Sequence, residues 1–101
     1  MNLTIKTLAS FDKELKQLSK RYRSIKKDMR QLYQELLENQ KAGIKIVDNC
    51  YKIRLANSSR AIYYYIDNEN SIILLSIYSK TEQSSISEDR ILQMLKENGL
   101  L

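Results

Sequence analysis

Lys52 and Arg54 lie two residues apart in Tyr51-Lys52-Ile53-Arg54-Leu55, where apolar and basic side chains alternate. In an extended chain successive side chains point to opposite faces, so the two cations share one face and Tyr51, Ile53 and Leu55 share the other. Arg60 follows the polar link Asn57-Ser58-Ser59, and Tyr78, Lys80 and Glu82 close the last β-rich segment. If these segments pair as an antiparallel meander, Lys52, Arg54, Arg60, Tyr78 and Lys80 converge on one open face, with Glu82 at its rim. Fixed cations beside an aromatic hydroxyl suit cleavage of RNA without a metal. The ribose 2′-OH attacks its own phosphate in line with the leaving 5′ oxygen, and cations stabilise the charge that builds on the phosphorane-like transition state. Positioning contributes as much as proton transfer in such a site, and the planar fork of Arg binds two phosphate oxygens at once. Lys80, Tyr78 and Glu82 are the candidates for general base and acid, each requiring a shifted pKa or a nearby cation. Taken alone, the same alternation is also what a solvated strand face shows.

The residue types narrow the chemistry further. Histidine is absent, and no Cys or carboxylate cluster has metal-ligand spacing. Those absences argue against a zinc site and against Ser-His or Cys-His nucleophilic catalysis, and no cofactor is implied. Two glycines, Gly43 and Gly99, cannot build a Gly-rich phosphate loop. Cys50 stands alone, so no internal disulfide forms, and it reads as a small buried hydrophobe in a cytoplasmic protein. No apolar run approaches the roughly 20 residues that span a bilayer. The start, Met1-Asn2-Leu3-Thr4-Ile5-Lys6, lacks a signal-peptide layout. The formal charge of +5 is unevenly spread: residues 1–66 hold 14 Lys/Arg against 6 Asp/Glu, and residues 67–101 hold 3 against 6. A basic body with an acidic tail points to an anionic partner such as nucleic acid.

The elements that must position these residues can be read from periodicity. The 101 residues form one domain. Phe11, Leu15, Leu18, Tyr22, Ile25, Met29, Leu32 and Leu36 recur at intervals of three and four, an apolar stripe on one side of a helix. The stripe fits either one helix over 10–39, as in a coiled coil, or a two-helix hairpin broken within Ser19–Ser24. Gly43 then suits a left-handed cap after the helical region. Strands are expected at Tyr51–Leu55, Arg60–Asp67 and Ser71–Ser79, with Ile73, Leu75 and Ile77 facing the core and Tyr78 and Lys80 facing outward. Tyr63 and Tyr65 must share one strand face and Tyr64 the other. Ser85-Ile86-Ser87-Glu88 has capping-box spacing, and Ile91, Leu92, Met94 and Leu95 supply a terminal helix that Gly99 closes. The expected fold is α+β: a helical hairpin and a C-terminal helix on one face of a small antiparallel sheet.

Two stretches resemble the RelE-type toxins of bacterial toxin–antitoxin systems. Asp48-Asn49-Cys50-Tyr51-Lys52-Ile53-Arg54-Leu55 with Ser58-Ser59-Arg60-Ala61-Ile62-Tyr63-Tyr64 is similar to that family's middle strands. Ile72–Leu75 with Ser76-Ile77-Tyr78-Ser79-Lys80-Thr81-Glu82 is similar to its last strand and following loop, especially in HigB-like members. The resemblance implies a ribosome-dependent endoribonuclease that cleaves mRNA in the A site and is blocked by a cognate antitoxin. It carries functional roles to Lys52, Arg54, Arg60 and Lys80. Several relatives place a tyrosine a few residues after the last of these, where this chain has Ser84-Ser85-Ile86-Ser87; weight moves to Tyr78, Lys80 or Glu82. The Asn57-Ser58-Ser59 link is also shorter than in HigB-like relatives.

Under this reading Lys13, Lys16, Lys20, Arg21, Arg23, Lys26, Lys27 and Arg30 dock on ribosomal RNA. A ParE-like inhibitor of DNA gyrase would not require Lys52, Arg54 and Arg60 together. A non-catalytic RNA-binding or helix-mediated interaction protein would fit a continuous, dimerising helix over 10–39.

Overall fold

The computed structural model describes residues 3–101; Met1 and Asn2, the first residues of the N-terminal stretch Met1–Lys6, lie outside the described residues. Strand β1 (Thr4–Thr7) leads into helices α1 (Ala9–Ser19) and α2 (Ile25–Glu38). Strands β2 (Ile44–Val47), β3 (Cys50–Arg54), β4 (Ser59–Ile66) and β5 (Ser71–Ser79) follow, and helix α3 (Glu88–Glu97) comes last. The sheet order is β1-β5-β4-β3-β2. Pairing is antiparallel from β5 to β2, and β1 joins β5 in parallel. The α+β expectation holds, and the sheet is mixed.

The apolar stripe is a hairpin, which removes the single-helix alternative. The chain breaks between Ser19 and Ile25, where Arg21 and Tyr22 N–H groups both donate to the Leu18 carbonyl. Neither Pro nor Gly is needed, because the elbow is held from outside by contacts of Tyr22 to Ser58 and Ser79 and of Arg21 to Glu82. Phe11, Leu18, Ile25, Met29, Leu32 and Leu36 pack on Tyr51, Ile53, Leu55, Ala61, Tyr63, Tyr65, Ile72, Leu74 and Ile77. Tyr63 and Tyr65 thus face the hairpin. Tyr63 stacks on Tyr51 with centroids 5.3 Å apart, and its hydroxyl donates to the Gln40 carbonyl and accepts from Gly43 N–H.

The other face is covered as well. Ile91, Met94 and Leu95 of α3 close over Cys50, Ile62, Ile73, Leu75 and Tyr78. The expectation that all helices share one face is therefore corrected. A strand apolar on both faces, as Ser71–Ser79 is, must be buried on both.

A register shift between Ile62 and Tyr63 changes which β5 residues face which layer. Ile62 pairs with Ser76 but Tyr63 pairs with Leu74, so Leu75 is an extra residue. Beyond this bulge the alternation inverts: Ile73 and Leu75 face α3, whereas Ile77 faces the hairpin. Three smaller expectations also change. Strand β2 was not foreseen; it joins β3 through Asp48 and Asn49, both at positive φ, 27° and 63°, as a two-residue hairpin turn demands. Helix α3 is capped by Ser87, whose Oγ accepts from Arg90 N–H, in place of a Ser85–Glu88 box. Gly43 is not a left-handed cap, since α2 ends at Glu38 with Asn39 after it, and Gly99 is the glycine at positive φ.

Gly43 matters for a different reason. A Cβ there would stand 2.7 Å from the Lys52 carbonyl oxygen, on backbone that cannot yield without opening β3. Gly43→Ala is expected to destabilise the fold by about 1–3 kcal/mol through overpacking. Urea unfolding checks this; an unchanged midpoint would show that β2 and β3 can part without cost.

Candidate functional site

Register brings the cations together. Arg54 is the direct partner of Arg60 across β3 and β4, and Arg60 is the direct partner of Tyr78 across β4 and β5. Lys52, two residues before Arg54, pairs with Ile62 on the same face. This is the face opposite the hairpin, the one on which α3 packs over the neighbouring Ile62 and Tyr78. Arg54 is exposed, and Lys52 and Arg60 are half-buried. Arg60 Nη1 donates to its neighbour's carbonyl at Ser59, which leaves the rest of the guanidinium fork available. Lys80 N–H donates to the Ser58 carbonyl, one step past the Ser59–Ser79 pair, so the exposed Lys80 continues the Arg60–Tyr78 face at the rim.

Two expected members are placed differently. Tyr78 does share the face of Arg60, but it is only 5% exposed and belongs to the cluster under α3. Its hydroxyl is buried without a hydrogen-bond partner. Burial pushes its pKa up, with the Arg60 charge opposing, so the phenol stays protonated. The bulge and α3 together account for the correction. Glu82 is drawn the other way, into an ion pair with Arg21 at the hairpin elbow. The eight hairpin cations, Lys13, Lys16, Lys20, Arg21, Arg23, Lys26, Lys27 and Arg30, are all exposed, with Arg21 engaged by Glu82.

The loops carrying the cations are tied to the hairpin. Between Arg54 and Arg60, Leu55 N–H donates to Ser59 O and Ser59 N–H donates to Asn57 Oδ1. Asn57 Nδ2 in turn donates to the buried Asp28 carboxylate at 2.6 Å, which also accepts from Ser24 Oγ. Ser58 Oγ meets the Tyr22 hydroxyl. Sequence reasoning passed over both anchors. Asp28 had a signal, an isolated acid among Lys26, Lys27 and Arg30 beside the apolar stripe. Tyr22 was counted as one more apolar position.

At the open edge of β5, beyond β1, Glu14 of α1 accepts from Ser76 Oγ at 3.0 Å and from Ile77 N–H. Burial raises its pKa, with those two bonds and the Arg90 charge opposing. Cys50 is fully buried and its thiol is pushed up to about 12, chiefly by that burial, so it is no nucleophile. Among the described residues no three His, Cys, Asp or Glu side chains gather as metal ligands, and no helix is long and apolar enough to cross a membrane.

No protein-family model and no curated protein sequence matches the chain. Solved structures do. The isolated RelE toxin of E. coli superposes with a TM-score of 0.64 at 18% identity, covering 94% of this chain and 98% of that one. The chain has the RelE fold. A chain of the intact E. coli RelBE toxin–antitoxin complex matches at 0.64 and 21% identity, over 77% of this chain and 96% of that one. A conserved hypothetical protein of Helicobacter pylori matches at 0.56 and 26% identity, over 80% and 98%. On this RelE fold, Lys52, Arg54 and Arg60 occupy adjoining strands on the face opposite the hairpin.

Proposed function

We propose that the chain is the toxin of a toxin–antitoxin pair and acts as a ribosome-dependent mRNA endoribonuclease. The observation that carries this reading is the Arg54–Arg60 pair. Like charges directly opposite on a sheet destabilise it, and Lys52 adds a third cation on the same face. A small fold keeps such a ladder where an anion offsets the repulsion, and a phosphodiester fits the two forks. Lys52, Arg54 and Arg60 hold the scissile phosphate and stabilise the phosphorane-like state as the 2′ oxygen attacks. The products are a 2′,3′-cyclic phosphate and a free 5′-OH. With Tyr78 buried and Glu82 turned to Arg21, Lys80 is the group left at the rim to transfer a proton. The exposed hairpin cations dock on ribosomal RNA, whose phosphates supply a salt-dependent attraction. A cognate antitoxin covers the toxin, as the likeness to the RelBE complex supports.

Inducible expression followed by growth measurement and primer extension on a reporter mRNA tests the proposal. Growth arrest with cuts inside translated codons supports it. Arrest with intact mRNA and halted replication would replace it with the gyrase reading.

The buried Tyr78 hydroxyl yields a separate expectation. An unpaired buried hydroxyl costs about 1–3 kcal/mol, so Tyr78→Phe is expected to stabilise the protein and raise its Tm by about 4–8 °C per kcal/mol recovered. Cleavage should persist in this variant. A lower Tm would mean that the hydroxyl has a partner in solution.

A further inference from the structure

The Tyr22 side chain does more than fill a place in the apolar stripe. Its hydroxyl lies 2.8 Å from Ser79 Oγ and 3.3 Å from Ser58 Oγ. Ser79 Oγ is itself 2.7 Å from Thr81 Oγ1 and accepts from Thr81 N–H. Ser58 belongs to the turn between Arg54 and Arg60, and Ser79 and Thr81 flank Lys80. The Ser58 carbonyl and Lys80 N–H bond to each other at 2.9 Å, so one phenol oxygen gathers both loops at their junction. The neighbouring residue strengthens the clasp: Arg21 pairs with Glu82 and lies 5.7 Å from the centre of the Tyr22 ring. The hydrogen bonds from Ser58, Ser79 and Thr81, aided by the Arg21 charge, lower the phenol's pKa to about 8, against a smaller opposing effect of burial.

We propose that Tyr22 is a positioning residue for RNA cleavage, its hydroxyl holding Lys80 in register with Arg54 and Arg60 from the far side of the sheet. The inference rests on the nuclease reading, and adds to it a residue that touches no RNA. Aligning Lys80 against two arginines carried on different strands is a matter of ångströms, and a misplacement of that order costs cleavage about 100-fold. The Arg54–Arg60 spacing is already fixed by the β3–β4 ladder, so loss of the clasp should affect Lys80 most.

Tyr22→Phe removes the hydroxyl and keeps the ring, and Ser79→Ala removes its nearest partner. On programmed ribosomes each is expected to lower kcat about 10- to 100-fold with KM unchanged, because phosphate binding remains. The double variant should be no worse than either single one, since both break the same contact. In hydrogen exchange, Lys80 N–H should exchange faster in Tyr22→Phe, while amides paired within β3 and β4 keep wild-type rates. Wild-type kcat per folded molecule in both variants, additive losses in the double variant, or unchanged exchange at Lys80 would each overturn the role of Tyr22 while leaving the nuclease standing. A folded wild type that leaves ribosome-bound mRNA intact would overturn the nuclease reading and this role with it.

Discussion

Arg54→Ala/Arg60→Ala is expected to abolish cleavage, by at least about 10³-fold in kcat/KM, without unfolding the protein. Removing one preorganised donor to a developing oxyanion costs roughly 10²–10³ in rate, and two forks acting on one phosphate are not independent, so the double loss falls short of the product. The stability side has the opposite sign. Arg54 is exposed, Arg60 bonds only to its neighbour's carbonyl, and the two face each other directly. Their removal relieves about 0.2–1 kcal/mol of cross-strand repulsion, so the variant should melt at or slightly above the wild type. Scanning calorimetry and primer extension on the same preparations check both halves. A variant that cleaves normally would show that these cations form only a solvated face. A large drop in Tm would show that they serve the fold.

What could be read from the residues follows from which signals are local. Alternation in Tyr51–Leu55 placed Lys52 and Arg54 on one face correctly, because β3 has no bulge in that stretch and period two is enforced by the backbone. The same rule failed in β5, where the extra residue at Leu75 inverts the pattern and sends Tyr78 under α3. A bulge leaves no mark in residue types when both faces are apolar. The continuous run Ile72-Ile73-Leu74-Leu75 did carry usable information: it signals burial on two sides, which requires a helix on each face. The hairpin break was undecidable from the stripe, because a 3.6-residue period survives a short elbow. What ends α1 is tertiary, the attachment of Arg21 and Tyr22 to residues 58, 79 and 82. That attachment also diverts Glu82 from the site, and no spacing rule links residues some sixty positions apart. Gly43 shows the converse error. A helix-cap role fitted its position in sequence, whereas its actual constraint is contact with the Lys52 carbonyl, a residue on another element.

Tyr63→Ala is expected to be the most destabilising single change in the core. The ring is fully buried and stacked on Tyr51, and truncating a buried aromatic side chain to Ala costs about 3–5 kcal/mol in lost transfer energy and cavity. The hydroxyl adds to this, because it bonds both the Gln40 carbonyl and Gly43 N–H, which lie in the link from α2 to β2. A domain of this length has a stability of about 5–15 kcal/mol, so the variant should be marginal at 25 °C and melt about 20 °C lower. Tyr63→Phe separates the two contributions: it keeps the stack, removes both polar contacts and should cost about 1–3 kcal/mol. Tyr63 is on the hairpin face, so neither change touches the cations directly. The link it holds nevertheless leads into β2, which pairs with Lys52 through Ile44. Loosening should therefore appear first as faster amide exchange in β2 and at Lys52, with the Arg54–Arg60 rung retained. If Tyr63→Phe melts like the wild type, Gln40 and Gly43 find water instead, and the anchoring of β2 comes from Gly43's close packing on β3 alone.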